Sequence, residues 1–320
     1  MIMASAIQAG LVSTIIPVFN RAEMVVEAIQ SVLAQDYRPV EIIVVDDGSS
    51  DDTASVLFEM DQNHSEITFL QQKNLGPGVA RELGRQHASG EFIQYLDSDD
   101  LLLACKFRLQ VEALQNKPEC GAAYGKSQVV IAGEIQTDQP WKRTWEKVDT
   151  MFPSFLNQRW WDTSTPIYRR KVLDMVGPWS ELINEEDWEY DCRVASLGTQ
   201  LAFVDEFVSL CRRHDEHLSQ DGTINPIKLQ SRCRARWKIY NSARKSLIPI
   251  PGGEFEYFSK AVFLVARECS AAGLSHYAKQ MIELSIMATK GKAIKQRVFF
   301  LLGNTIGWRY AAKLVTAFGY

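Results

Sequence analysis

The first half of the chain alternates between two hydrophobic periods. Leu11-Val-Ser-Thr-Ile-Ile-Pro-Val-Phe19 is an apolar, β-branched run, the pattern of a buried strand. Met24, Val25, Ala28, Ile29, Val32 and Leu33 then recur at helical spacing, with Asn20 as the expected helix cap and Glu23 three residues on. Val40 to Val45 is again nearly continuous apolar sequence, as suits a parallel strand covered on both faces. Asp46-Asp47-Gly48-Ser49 ends it; Gly48 predicts a sharp turn, and Ser49 or Ser50 a helix cap. A helix over about 52–62 and a short strand over 67–70 follow. Gly76-Pro77-Gly78 turns into a helix through Ala88, Phe92 to Leu96 reads as a strand ending in Asp97-Ser98-Asp99-Asp100, and a helix covers about 104–116.

Four strand–helix pairs in succession predict an α/β domain with a mainly parallel sheet. Ligands of such sheets bind beyond the carboxyl ends of the strands, and two of these strands end in aspartates. Past residue 120 the pattern loosens. Strands are expected over 122–132 and 201–210, while 141–161 holds Trp141, Trp145, Trp160 and Trp161 with no clear period. After Pro226 the period is helical over 227–246, 254–272 and 274–289, followed by a basic stretch from 292; Pro249 and Pro251-Gly252-Gly253 mark a linker. The predicted organisation is a catalytic α/β domain over 1–225 and a helical extension over 226–320.

Composition narrows the function classes. At 320 residues, 46% apolar and 23% charged, the chain is ordinary globular protein, which excludes disordered, collagenous and coiled-coil classes. The net charge of −4 argues against a general nucleic-acid binder, which needs a basic face. The charge is unevenly placed. The last 31 residues carry Lys290, Lys292, Lys295, Arg297, Arg309 and Lys313 and no acid, so the rest carries −10. Six cysteines, none in a CxxC pair, suggest reduced thiols of a cytoplasmic protein. No secretory signal is expected, because the first ten residues lack Lys and Arg and Pro17 breaks the first apolar run. The uncharged stretch 298–308 falls short of the roughly 20 residues a spanning helix needs. The basic tail can instead dock on the protein or lie on the inner face of a membrane.

Three acidic clusters carry candidate chemistry. Asp97-Ser98-Asp99 is a hard-oxygen pair suited to Mg²⁺ or Mn²⁺, or a solvated loop; an EF-hand is excluded by Leu102 at the sixth position, where that loop needs glycine. Asp46 and Asp47 offer acceptors to a nucleobase NH or a ribose hydroxyl. Asn184-Glu185-Glu186-Asp187 reads either as a capped helix start, where acids suit the dipole, or as a general base among clustered carboxylates. Gly76-Pro-Gly-Val-Ala-Arg81 is a partial dinucleotide fingerprint with Arg at the third glycine.

Taken in order, the segments 12–20, 41–51, 74–81, 90–100, 169–179, Glu186-Asp187 and Arg212-Arg-His214 resemble family 2 glycosyltransferases, which are inverting enzymes of the GT-A fold. The resemblance implies a Rossmann-like, mainly parallel sheet flanked by helices, with the C-terminal helical extension added to it. It implies that Pro17 and Asn20 line a nucleotide pocket and that Asp47, with Asp46 beside it, holds the base, most often uracil. Arg81 takes the family's Ala-Arg position near the donor. Asp97, Ser98 and Asp99 match the Asp-X-Asp motif, with Asp99 the direct ligand of Mn²⁺ or Mg²⁺. Asp187 matches the general base, Glu186 seconds it, and His214 matches a position that helps hold the metal or diphosphate. Cys211 stands where Tyr is often found. The implied reaction is a single inverting displacement from a nucleotide-diphosphate sugar, UDP-linked, to a hydroxyl on a saccharide, lipid-linked or other acceptor, in polysaccharide or glycan synthesis for the cell envelope. Trp188 abuts the base and is the candidate acceptor contact; the other Trp residues either stack on sugars or fill the core. Two alternatives remain: a haloacid-type phosphatase using Asp97 and Asp99, which wants Thr or Val where Leu101 stands, and a non-catalytic nucleotide-sugar-binding module.

Overall fold

The structure is a computed structural model that describes residues 7–213, 225–248, 252–290 and 292–317. The described residues fall into two compact units. The first takes residues up to 150, 160–181 and those from 199 to 213; the second takes 151–159, 182–198 and those from 225 on.

The first unit is built on one sheet of nine strands: β1 (Gln8–Val18), β2 (Val40–Asp46), β3 (Ile67–Gln71), β4 (Gly90–Tyr95), β5 (Leu101–Leu102), β6 (Cys120–Ile131), β7 (Glu134–Ile135), β8 (Ile167–Arg169) and β9 (Gln200–Arg213). The order is β3-β2-β1-β4-β8-β6-β9-β5, with β7 on β6. β1, β2, β3 and β4 pair in parallel, as do β6 and β9; β8, β5 and β7 run against their neighbours. The predicted mainly parallel sheet is what forms.

Helices α1 (Ala22–Leu33), α2 (Thr53–Asn63), α3 (Pro77–His87), α4 (Lys106–Asn116) and α5 (Arg170–Val176) belong to this unit. The helical spacing noted above buries Val25, Ala28, Ile29 and Val32 of α1 against Val12, Ile16, Ile42 and Val44 of the strands. Each such side chain contributes about 1.5–3 kcal/mol on leaving water. α3 approaches the sheet so closely at Gly84 that a Cβ there would lie 2.5 Å from Ile15 Cγ2. Trp160 and Trp161 are fully buried, so the core reading holds for these two.

The second unit is helical: α6 (Glu186–Ser196), α7 (Pro226–Lys245), α8 (Gly253–Ala271), α9 (Ser275–Met287), α10 (Ile294–Ile306) and α11 (Trp308–Ala317). Phe255, Phe258, Val262, Val265, Met281, Ile282 and Phe299 form its buried face. Among the described residues no helix is long and apolar enough to cross a membrane. All six cysteines are free thiols.

Three expected caps are not caps. Asn20 adopts a left-handed backbone (φ 51°), and α1 begins after Arg21 with no side-chain cap. α2 begins after Asp52 rather than at Ser49 or Ser50. α6 begins after Glu185, itself left-handed at φ 59°, rather than at Asn184. At the first two the side chains of Asn20 and Ser49 are drawn into a tertiary contact described below, which outcompetes the local cap. The basic stretch is two helices, broken at Gly307 (φ 88°). The linker prolines 249 and 251 lie outside the described residues.

Candidate active site

In the first unit the strands end together. Val18 of β1 pairs with Asp46 of β2, and Asp46 with Gln71 of β3. β4 lies on the other side of β1, so the sheet order reverses there. Ligands settle at such a crevice, outside the carboxyl ends. Pro17, Asp46, Asp47 and Asp97 to Asp100 all stand at this end.

Asp46 and Asp47 are both buried. Asp46 accepts from Ser49 N at 2.9 Å and from Gln71 Nε2 at 2.9 Å. Asp47 accepts from Gln72 Nε2 at 2.7 Å, Leu75 N at 2.9 Å and Gly76 N at 2.8 Å. The pair thus fastens the turn after β2 to the loop before α3. A carboxylate has about four acceptor positions, so Asp47 keeps capacity for one more donor. Gly48 (φ 78°) makes the turn as expected, and a Cβ there would press on Asn74 N at 2.9 Å. Asn20 joins the same turn: its N–H donates to Ser49 Oγ at 2.8 Å and its Oδ1 accepts from Ser50 N at 2.7 Å.

The Asp97–Asp100 loop carries guanidinium partners from distant parts of the chain. Arg81 of α3 pairs with Asp97 at 2.7 Å, and its guanidinium stands over the Trp179 ring at 4.8 Å. Arg21, just before α1, pairs with Asp99 at 2.5 Å. Arg212 of β9 donates its Nε to the Asp99 carbonyl oxygen and pairs with Glu27. Asp100 is buried between Ser164 Oγ, which donates at 2.7 Å, and Arg212 N, at 3.2 Å. Burial first, and then the carboxylates of Asp99, Asp97 and Asp162, push its carboxyl well above the usual range. The loop is pinned from beneath as well. Asp97 N donates to Ser164 Oγ at 3.3 Å, and the next residue's carbonyl, Thr165 O, accepts from the wholly buried Lys106 Nζ at 2.6 Å. Ser98 is buried within the loop.

Sequence reasoning missed Arg21, Ser164 and Lys106. No periodic or motif signal marks them; Arg21 reaches Asp99 only because β1 and β4 are neighbours. A divalent cation fits the donor chemistry here. Asp97 and Asp99 are hard-oxygen groups on one loop, and Mg²⁺ or Mn²⁺ is commonly held by one or two carboxylates completed by substrate phosphates. Among the described residues no cluster of three or more His, Cys, Asp or Glu is set to hold a metal. His214 lies outside the described residues.

The second unit holds the other cluster. Helical spacing puts Asp187 and Asp191 on one face of α6, and Arg159 bridges them, Nη1 to Asp187 Oδ2 and Nε to Asp191 Oδ2, each at 2.6 Å. Asp191 is 2% exposed at its side chain and Asp187 31%, so Asp187 is the one open to a substrate. Its Oδ1 accepts from Trp188 N at 2.7 Å. Glu186 is buried. Trp188 donates its indole N–H to Phe155 O at 2.7 Å, and Arg236 stands over its ring at 4.2 Å. Glu185 pairs with Arg236 at 2.8 Å and Arg232 at 3.4 Å. Ser231 Oγ accepts from Asn184 N at 3.2 Å.

Comparison with known proteins agrees with this picture. The profile of the family described as "Glycosyl transferase family 2" matches residues 13–172, half of the chain. An uncharacterized glycosyltransferase of Rickettsia felis is 43% identical over 104 residues, 32% of this chain and 17% of that protein. The Campylobacter jejuni GalNAc(5)-diNAcBac-PP-undecaprenol beta-1,3-glucosyltransferase is 43% identical over 94 residues, 29% of this chain and 30% of that protein. The chain thus spans less than a third of the length of either relative. In structure, S. aureus TarS 1-349 in complex with UDP superposes with a TM-score of 0.70 at 16% identity, covering 97% of this chain and 92% of that one. That likeness shows the fold, a GT-A-type sheet with helices added after it. The haloacid-type phosphatase reading falls away with these matches. The chain belongs to glycosyl transferase family 2.

Proposed function

We propose that this chain transfers a sugar from a nucleotide-diphosphate sugar, a UDP-sugar, to an acceptor hydroxyl with inversion at the anomeric carbon. One observation carries the reading: Asp97 and Asp99 pair with Arg81 and Arg21 at the carboxyl end of β1, β2 and β4, the end at which Asp47 also stands. A nucleoside diphosphate needs that mixture, acceptors for its base and ribose and cations for its phosphates. TarS in complex with UDP-GlcNAc, and the Pyrobaculum calidifontis mannosyltransferase with GDP-Man and Mn²⁺ at a TM-score of 0.51, share the fold.

In this reading Pro17 and Asn20 border the base and Asp47, backed by Asp46, accepts from it. Arg81 and Arg21 lie beside the diphosphate, and Ser98 holds the loop between the two acids. Mn²⁺ or Mg²⁺, held by Asp99 with Asp97 and His214, would offset the charge that grows on the leaving diphosphate. Asp187 takes the proton from the acceptor oxygen as that oxygen attacks the anomeric carbon. Arg159 orients Asp187, Glu186 lies beside it, and Trp188 offers its ring to the acceptor. No Ser, Cys or Lys nucleophile is required. Residues 1–225 hold every group that touches donor or acceptor in this proposal, and 226–320 brace α6 through Ser231, Arg232 and Arg236. The acceptor is a saccharide or lipid-linked hydroxyl of envelope polysaccharide or glycan synthesis, and free thiols suit a cytoplasmic setting.

The test is a donor screen. UDP- and GDP-linked sugars are offered with and without Mn²⁺, reading the melting shift and nucleotide release. A shift and slow hydrolysis confined to one nucleotide class support the proposal. No response to any nucleotide sugar sinks it, and binding without hydrolysis or transfer to any acceptor points to the non-catalytic module instead.

A further inference from the structure

The basic stretch is docked on the protein and amphipathic on its outside at once. On α10, Gln296, Phe299 and Gly303 are buried. Phe299 meets Phe263 of α8 at 5.3 Å and Trp308 of α11 at 5.9 Å. A Cβ on Gly303 would lie 2.4 Å from Trp308 Cε3, so α10 and α11 are closely packed there. The opposite face is not a polar helix surface. Ile294 is 76% exposed, Val298 49% and Leu301 63%, and with Thr305 they form one stripe at i, i+4, i+7 and i+11. At 3.6 residues per turn Lys295 and Arg297 fall on its two sides, and both are exposed. α11 repeats the mixture, with Tyr310 66% exposed and Leu314 exposed beside Lys313.

We propose that this outer face of α10, extended by Tyr310, Leu314 and Lys313, rests on an anionic membrane surface. The occupant follows from the charge. The segment 290–320 holds six basic residues and no acid, so a second copy of the same face would meet like charge, and a neutral apolar partner would offer that net positive charge nothing. An interfacial helix needs an apolar stripe for the acyl boundary and flanking Lys or Arg for the headgroups; Lys and Arg stems can lie along the stripe while their charges reach phosphate. Exposed Tyr suits the headgroup level. Membrane contact through this face is independent of which donor or acceptor the first unit and α6 bind.

The experiment uses the full chain and co-sedimentation with phosphatidylcholine vesicles, with and without phosphatidylglycerol. Binding is expected only to the anionic vesicles and should weaken with salt. Lys295→Glu with Arg297→Glu should cut it on the order of tenfold or more. Val298→Glu with Leu301→Glu should abolish it, while circular dichroism melting and donor hydrolysis stay at wild-type values, because both positions are exposed. Equal binding to both vesicle types, binding to neither, or unchanged binding by the variants overturns the proposal. So does a wild-type dimer, seen by light scattering, that Val298→Glu with Leu301→Glu dissociates, for that result would assign the face to a second copy.

Discussion

Asp97-Ser98-Asp99-Asp100 and Glu185-Glu186-Asp187 are both short acidic runs, but one follows a strand and the other starts a helix. The strand-end run is organised from afar. Its partners Arg21, Arg81, Ser164 and Arg212 come from four separate elements or loops, and one of its acids is driven toward the protonated form by burial. The helix-start run is organised by helical phase. Asp187 and Asp191 share one guanidinium because they are four residues apart, and Glu189 pairs with Arg193 for the same reason at 2.7 Å. A sheet end gathers groups that no local rule predicts, whereas a helix sorts its own residues by a fixed angle.

That contrast can be broken at several points. The largest expected effect is on Asp187→Asn, which should lower transfer by about 10²–10⁴-fold while donor affinity persists; equal loss of donor affinity would move Asp187 out of the base role. Asp99→Ala should cost about 10²–10³-fold and should differ in kind. Donor binding itself should weaken and lose its response to Mn²⁺, and a titration showing unchanged metal dependence would separate Asp99 from the metal. Arg159→Met leaves the buried Asp191 without its bridge, and chemical denaturation should show a loss of about 3–5 kcal/mol. A near-neutral result would mean that the α6 acids do not depend on this guanidinium.

A smaller loss, about 1–3 kcal/mol, is expected for Gly84→Ala, where the new methyl meets Ile15 and α3 must move off the sheet. The displacement should also disturb the Arg81–Asp97 pair, read as weaker donor binding; a fully stable variant with wild-type donor affinity would show that α3 can shift freely. The smallest effect concerns Lys106 beneath the strand-end run. Burial lowers its pKa well below the ordinary 10.5, with Cys105 opposing weakly. Between that depressed value and 10.5 the unfolded chain binds more protons than the folded one. Wild-type stability should therefore rise with pH across the window, and the contribution should be lost as pH falls through the folded value. Lys106→Met lacks this slope, so its stability relative to wild type should shrink from neutral pH toward pH ~10. A constant difference in urea melts would mean that Lys106 stays charged in the fold.

Much of the fold was legible because its elements obey local periods. The apolar runs 11–19 and 40–45 became β1 and β2, and the spacing of Val25, Ala28, Ile29 and Val32 became the buried face of α1. β8, only three residues long, was not legible, because its place between β4 and β6 comes from pairing and not from pattern. The cap at Asn20 was misread for a related reason: a side chain that suits a cap also suits a tertiary donor, here Ser50 N, and the sequence does not say which is nearer.

By itself the sequence determined the alternation of strand and helix, the aspartates at strand ends, the acids at the start of α6 and the basic tail. All of these follow from neighbours within a few residues. Tertiary structure alone decided which cation meets which acid, that Asp100 is buried while Asp97 is open, and that the tail is docked on one face and exposed on the other. These depend on contacts between residues far apart in the chain, whose partners are chosen by how strands order and helices pack.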